Sequence, residues 1–147
     1  MEDILLEAAK KVCINDFELI NNKMEWATAH RLAVYLEDYF AGFNVDCEYN
    51  KMGFEFDPKH DSYDRHKRPD IVIHRRGRTE LENNLLVIEI KLENDQDDDE
   101  KKLYDFTSPP NKNRPFQYQY GLKISFLPKL QLKWFHDTFN YKVVTVG

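Results

Sequence analysis

Leu85-Leu86-Val87-Ile88-Glu89-Ile90-Lys91-Leu92 is the segment around which the rest of the chain is organised. It is a nearly continuous apolar run, the pattern of a strand buried on both faces. Only Glu89 and Lys91 interrupt it. They are two apart, so their side chains leave the strand on one face, while Leu86, Ile88, Ile90 and Leu92 take the other. Desolvating a carboxylate and an ammonium is costly unless they are paired or functional, so their presence in such a strand calls for a chemical reason.

The preceding run Asp70-Ile71-Val72-Ile73-His74 reads as a strand introduced by Pro69, and Arg75–Asn83 reads as a turn region around Gly77. An antiparallel pairing that closes with Arg75 opposite Asn84 sets Asp70 opposite Glu89. Asp70, Val72 and His74 then share the face of Val87, Glu89 and Lys91. Two carboxylates facing each other across a strand pair repel unless a cation lies between them, which points to a divalent metal with oxygen ligands.

The flanking sequence supplies helices. Ile4, Leu5, Ala8, Ala9 and Val12 fall at helical spacing within 3–12. A second helix is expected from near Asn22, with Glu25, Ala29, Leu32, Leu36 and Tyr39 on one stripe, Ala33 and Phe40 widening it, and Gly42 as its stop. Val45–Tyr49 reads as a short strand and 52–65, with Gly53 and Pro58, as a loop. After the central strand, Asp97–Phe106 reads as a helix with acids at its start, closed by Pro109-Pro110. Phe116–Phe126 is aromatic and β-rich, and Leu130–Phe135 with Tyr141–Val146 reads as a final hairpin. With no repeat or linker, 1–147 is expected to be one domain, with a core of about 22–126. The order is that of an α/β sandwich around a mixed sheet, and its strand–helix–strand step should be right-handed.

Charge is segregated. The 147 residues carry 21 Lys+Arg against 26 Asp+Glu, a formal charge of −5. That balance excludes a uniformly basic nucleic-acid binder and a polybasic membrane anchor. Yet Arg65–Arg78 is strongly basic around Asp70, and Glu93–Glu100 is almost wholly acidic. The acidic run lacks the glycine of an EF-hand loop and reads as a solvated helix start. No apolar run approaches membrane-spanning length, the N-terminus is acidic where a secretory signal is basic, and Cys13 and Cys47 form no CxxC. A reduced, cytoplasmic setting is the expectation.

Pro69-Asp70 followed by Glu89-Ile90-Lys91, each on its own strand with a helix afterwards, resembles the PD-(D/E)XK nuclease superfamily, over about Glu25 to Phe126. The resemblance implies a restriction-endonuclease-like α/β/α sandwich with an αβββαβ core. It further implies an Mg²⁺-dependent (or Mn²⁺-dependent) phosphodiesterase, most naturally an endonuclease on DNA, with RNA not excluded. In that scheme Asp70 and Glu89 are metal ligands, with the Ile90 carbonyl as a third oxygen. Lys91 holds or activates the attacking water, and Glu25 contributes from the helix before the sheet.

Arg65, Lys67, Arg68, Arg75, Arg76 and Arg78 flank this site and are candidate backbone contacts, as is Lys102 on the following helix. His30 and Arg31 read as surface or phosphate contacts, His74 as a structural histidine, and Phe116–Tyr120 as core packing rather than a base-stacking platform. The absence of a Gln-xxx-Tyr pattern argues against the processive exonuclease branches. The rival reading is a non-catalytic nucleic-acid- or protein-interaction module that keeps the same fold. Double-strand cutting would require a homodimer, and the net acidity is compatible with a protein partner that delivers the substrate.

Overall fold

The computed structural model describes residues 1–49, 68–93, 98–112, 114–136 and 140–146. It is a mixed α/β fold. The helices are α1 (Glu2–Asn15), α2 (Phe17–Asn21), α3 (Glu25–Glu37) and α4 (Asp98–Thr107). The strands are β1 (Asn44–Cys47), β2 (Ile71–His74), β3 (Asn84–Glu93), β4 (Tyr120–Leu127), β5 (Gln131–His136) and β6 (Asn140–Thr145). The six strands form one open sheet in the order of the chain. Every neighbouring pair is antiparallel except β3 and β4, which are parallel because α4 carries the chain between them.

Alternation along the strands sorts the core into two layers. Leu86, Ile88, Ile90 and Leu92 of β3, with Ile71 and Ile73 of β2, pack with Leu5, Ala8, Ala9 and Val12 of α1 and Ala29, Leu32, Ala33 and Leu36 of α3. Val72 and Val87 point the other way and pack with Leu103 and Phe106 of α4, Phe116, Tyr118 and Phe135. Helices therefore cover both faces, which is why β3 reads as apolar almost throughout. Gly121 of β4 lets α4 approach closely: a Cβ there would meet Thr107 Cγ2 at 3.2 Å and Leu103 Cδ2 at 3.4 Å.

Several boundaries differ from the sequence reading. The helix expected from near Asn22 begins only at Glu25 as α3, and the short α2 before it was not expected. α3 ends at Glu37, ahead of Gly42, which instead takes φ +87° in the turn into β1. β1 stops at Cys47. Phe116 and Tyr118 precede β4 rather than belong to it; their buried rings pack on Phe106, so aromatic content reported core packing and not a strand. The expected hairpin is β5–β6. The predicted 52–65 loop lies outside the described residues. Among the described residues, no helix is long and apolar enough to cross a membrane.

Candidate active site

β2 and β3 pair through Ile71 with Ile88, Val72 with Val87 and Ile73 with Leu86. One step further along that register is Asp70 with Glu89, the pairing expected from sequence. At the turn end the register breaks. A bulge between Ile73 and His74 pairs His74, not Arg75, with Asn84, and the Arg75 N–H bonds the Asn83 carbonyl at 2.8 Å. The bulge absorbs one residue at the turn and leaves the Asp70 end in phase.

Asp70 stands just before β2, half-buried, and its Oδ2 accepts the Ile90 N–H at 2.8 Å. That bond fixes its carboxylate against the Glu-x-Lys strand. Glu89 is buried on the α4 face, its side chain 3% exposed, and Lys102 Nζ of α4 lies 2.9 Å from its Oε1. The contact is ionic rather than an aligned hydrogen bond. A carboxylate at this depth requires a compensating cation. Lys91, half-buried, follows on the same face and pairs in register with Ser125 of β4.

The same face holds charges that the sequence reading missed. Glu89 is in register with Lys123 of β4, and Lys123 with Lys133 of β5. Like charges directly opposite repel, and Glu100 of α4 relieves that: its carboxylate takes Lys123 at 3.3 Å and Lys133 at 2.6 Å. Burial pushes the Glu100 pKa up, but the two ammonium groups outweigh it and hold it below the usual carboxylate value. Asp70, Glu89, Lys123 and Lys133 thus form a charged row across four strands, beside the apolar half of the same face under α4. The signal was present as Lys123 and Ser125 in an otherwise apolar run. Only the β3–β4 parallel register, which no local pattern encodes, brings them to Glu89.

Glu25 is the first residue of α3, half-buried, on the helix that covers the opposite face. The Lys23–Glu93 ion pair, 3.3 Å, ties the segment before it to the end of β3 that follows Lys91. Arg68 is exposed two residues before Asp70. Arg75 and Arg76 lie at the other end of β2. The Arg75 guanidinium covers the Phe43 ring, its centre 4.1 Å from the ring centroid, and bonds the Gly42 carbonyl, while Arg76 clamps both oxygens of Asp46. Arg78 and His30 are exposed, and Arg31 pairs with Asp16. Arg65 and Lys67 lie outside the described residues, as does Asn94–Asp97 of the acidic run. Cys13 and Cys47 are free thiols.

His74 is fully buried, and its Nε2 lies 2.7 Å from Asp46 Oδ2, the structural role expected of it.

Among the described residues, no group of three or more His, Cys, Asp or Glu side chains is arranged to hold a metal. Mg²⁺ does not need such a cage. It keeps several waters and takes one or two carboxylates, and Asp70 and Glu89 are hard oxygen donors on adjacent strands. No protein-family model, curated protein or solved structure matches the chain.

Proposed function

We propose that the chain is a metal-dependent nuclease that hydrolyses phosphodiester bonds, with DNA as the favoured substrate, on a restriction-endonuclease-like arrangement of its sheet and helices. The observation that carries this reading is the Ile90 N–H bond to Asp70, beside a β2–β3 register paired as far as Ile71 with Ile88, which brings Asp70 next to the strand that bears Glu89 and Lys91. A purely structural face would extend the Val72, Val87 and Phe135 packing instead of burying charge.

In this reading Asp70 and Glu89 hold the cation, with the Ile90 carbonyl as a further oxygen. A divalent cation held there would supply a Lewis acid for the phosphoryl oxygen and a lowered pKa for a coordinated water. The Ile90 N–H bond to Oδ2 holds the Asp70 carboxylate against β3 and limits its own reorganisation. Lys91 orients the attacking water and offsets charge developing on the phosphate. Glu25 contributes from the helix start, and Arg68 binds the neighbouring backbone.

The test is nicking of supercoiled plasmid with Mg²⁺ or Mn²⁺ by the wild-type chain and by Asp70→Ala, Glu89→Ala and Lys91→Ala. Each substitution removes a group acting at the reacting phosphate, so a loss of about 100-fold or more is expected. Equal residual activity in wild type and Lys91→Ala would reject the reading and favour a non-catalytic interaction module.

A further inference from the structure

Glu89 faces a cation that belongs neither to its own strand nor to a neighbouring one. Lys102 reaches it from α4, 2.9 Å from Oε1, with its own side chain 13% exposed. The neighbouring residue Leu103 is fully buried and packs on the sheet with Phe106, so the helix backbone is fixed at this point. The lysine stem is mostly buried, but its four methylenes are rotatable, so the ammonium can leave Glu89 by side-chain rotation alone, without movement of α4. The contact is ionic and lacks hydrogen-bond alignment, so direction does little to hold it. Lys123 and Lys133 are different, because Lys123 donates a hydrogen bond to Oε2 of Glu100 and Lys133 donates one to Oε1.

We infer that Lys102 is a displaceable counter-ion that competes with the divalent cation for Glu89. This rests on the nuclease reading of the same site. A buried carboxylate needs positive charge beside it, and Lys102 supplies it. A divalent cation carries twice the charge and shares the Asp70 oxygens as well, so it wins above a threshold concentration. The ammonium raises that threshold, since the apparent dissociation constant is the intrinsic one divided by the fraction of molecules in which Glu89 is accessible. Once displaced, the Lys102 ammonium remains within a side chain's length of Glu89. The site thereby links metal loading to the release of the Lys102 ammonium from Glu89.

The experiment is calorimetric titration of Mn²⁺ into the wild-type chain, Lys102→Met and Lys102→Gln. Methionine keeps the apolar stem without charge. Glutamine keeps a hydrogen-bonding group and covers the case in which methionine fails to fold. The expected result is Mn²⁺ binding about fivefold or more tighter in the uncharged variants than in wild type. Wild-type binding with equal or weaker affinity in both variants would overturn the inference and leave the nuclease reading standing. No binding to any of the three at millimolar Mn²⁺ would overturn the nuclease reading itself, and the inference with it.

Discussion

At the scale of single residues, the two ends of β2 do different work. Asp70 at one end is aimed by the Ile90 N–H, and His74 at the other is buried against Asp46, with Arg76 clamping the same carboxylate. Burial lowers the His74 pKa below the ordinary histidine value, even though Asp46 pulls the other way. For Asp46, burial pushes upward, and the hydrogen bonds from Arg76 and His74 outweigh it, leaving the carboxyl below its usual value. Both shifts act in the same direction on acidification. The unfolded chain takes a proton on His74 near its ordinary value of about 6.5, while the folded chain resists it. Stability linked to His74 is therefore complete above that value and falls as pH drops below it. Asp46 adds a second loss, which sets in below the ordinary carboxylate range and grows as pH falls through its lowered folded value. Chemical denaturation at pH about 7.5 and about 5.5 should show wild type losing stability where His74→Gln loses less. A wild-type-to-variant difference that is the same at both pH values would contradict this.

At the scale of elements, α4 is the piece on which the site depends. Its apolar residues Leu103 and Phe106 seat it on the sheet, and its charged residues Glu100 and Lys102 reach the charged row. Gly121 of β4 is a point of close approach to the helix. A Cβ there meets Thr107, Leu103 and the Phe135 Cβ at 3.2–3.4 Å, and Phe135 is a strand residue that cannot swing aside. Gly121→Val adds further methyls to that contact and should lower stability by about 2 kcal/mol, read from the urea midpoint. Because α4 would be lifted rather than lost, Lys102 should also lose its contact with Glu89. An unchanged midpoint would show that α4 is more loosely seated than its packing implies.

At the scale of the whole molecule, the net charge of −5 conceals segregation. Arg68 and the lysines of the charged row stand at the Asp70–Glu89 end of the sheet. Arg75 and Arg76 at the other end hold the turn together through Gly42, Phe43 and Asp46. Among the described residues, few basic side chains remain to meet a nucleic-acid backbone at the site, and overall repulsion opposes binding. If the nuclease reading holds, plasmid nicking at subsaturating DNA should fall about tenfold or more between about 50 and about 200 mM salt, the dependence of a few phosphate contacts. A rate indifferent to salt would mean that backbone phosphates are not what the site holds.

Local sequence was enough to locate β3, the face on which Glu89 and Lys91 emerge, and the α1 and α3 stripes, and a pairing chosen to be consistent with them matched the β2–β3 register from Ile73 to Ile71. Each of these follows from side-chain period and a short connection, properties that a few adjacent residues carry. What local pattern could not supply came from contacts distant in the chain. The bulge at Ile73/His74, the assignment of Arg75 and Arg76 to the turn, and the placing of Phe116 and Tyr118 in the core all depend on neighbours outside their own segments. The charged row depends on them most: Lys123 and Lys133 meet Glu89 and Glu100 only because α4 crosses over to make β4 parallel to β3. Long-range register is set by the packing of whole layers and not by the period of one strand, so the partners of Glu89 were decided by the tertiary structure alone.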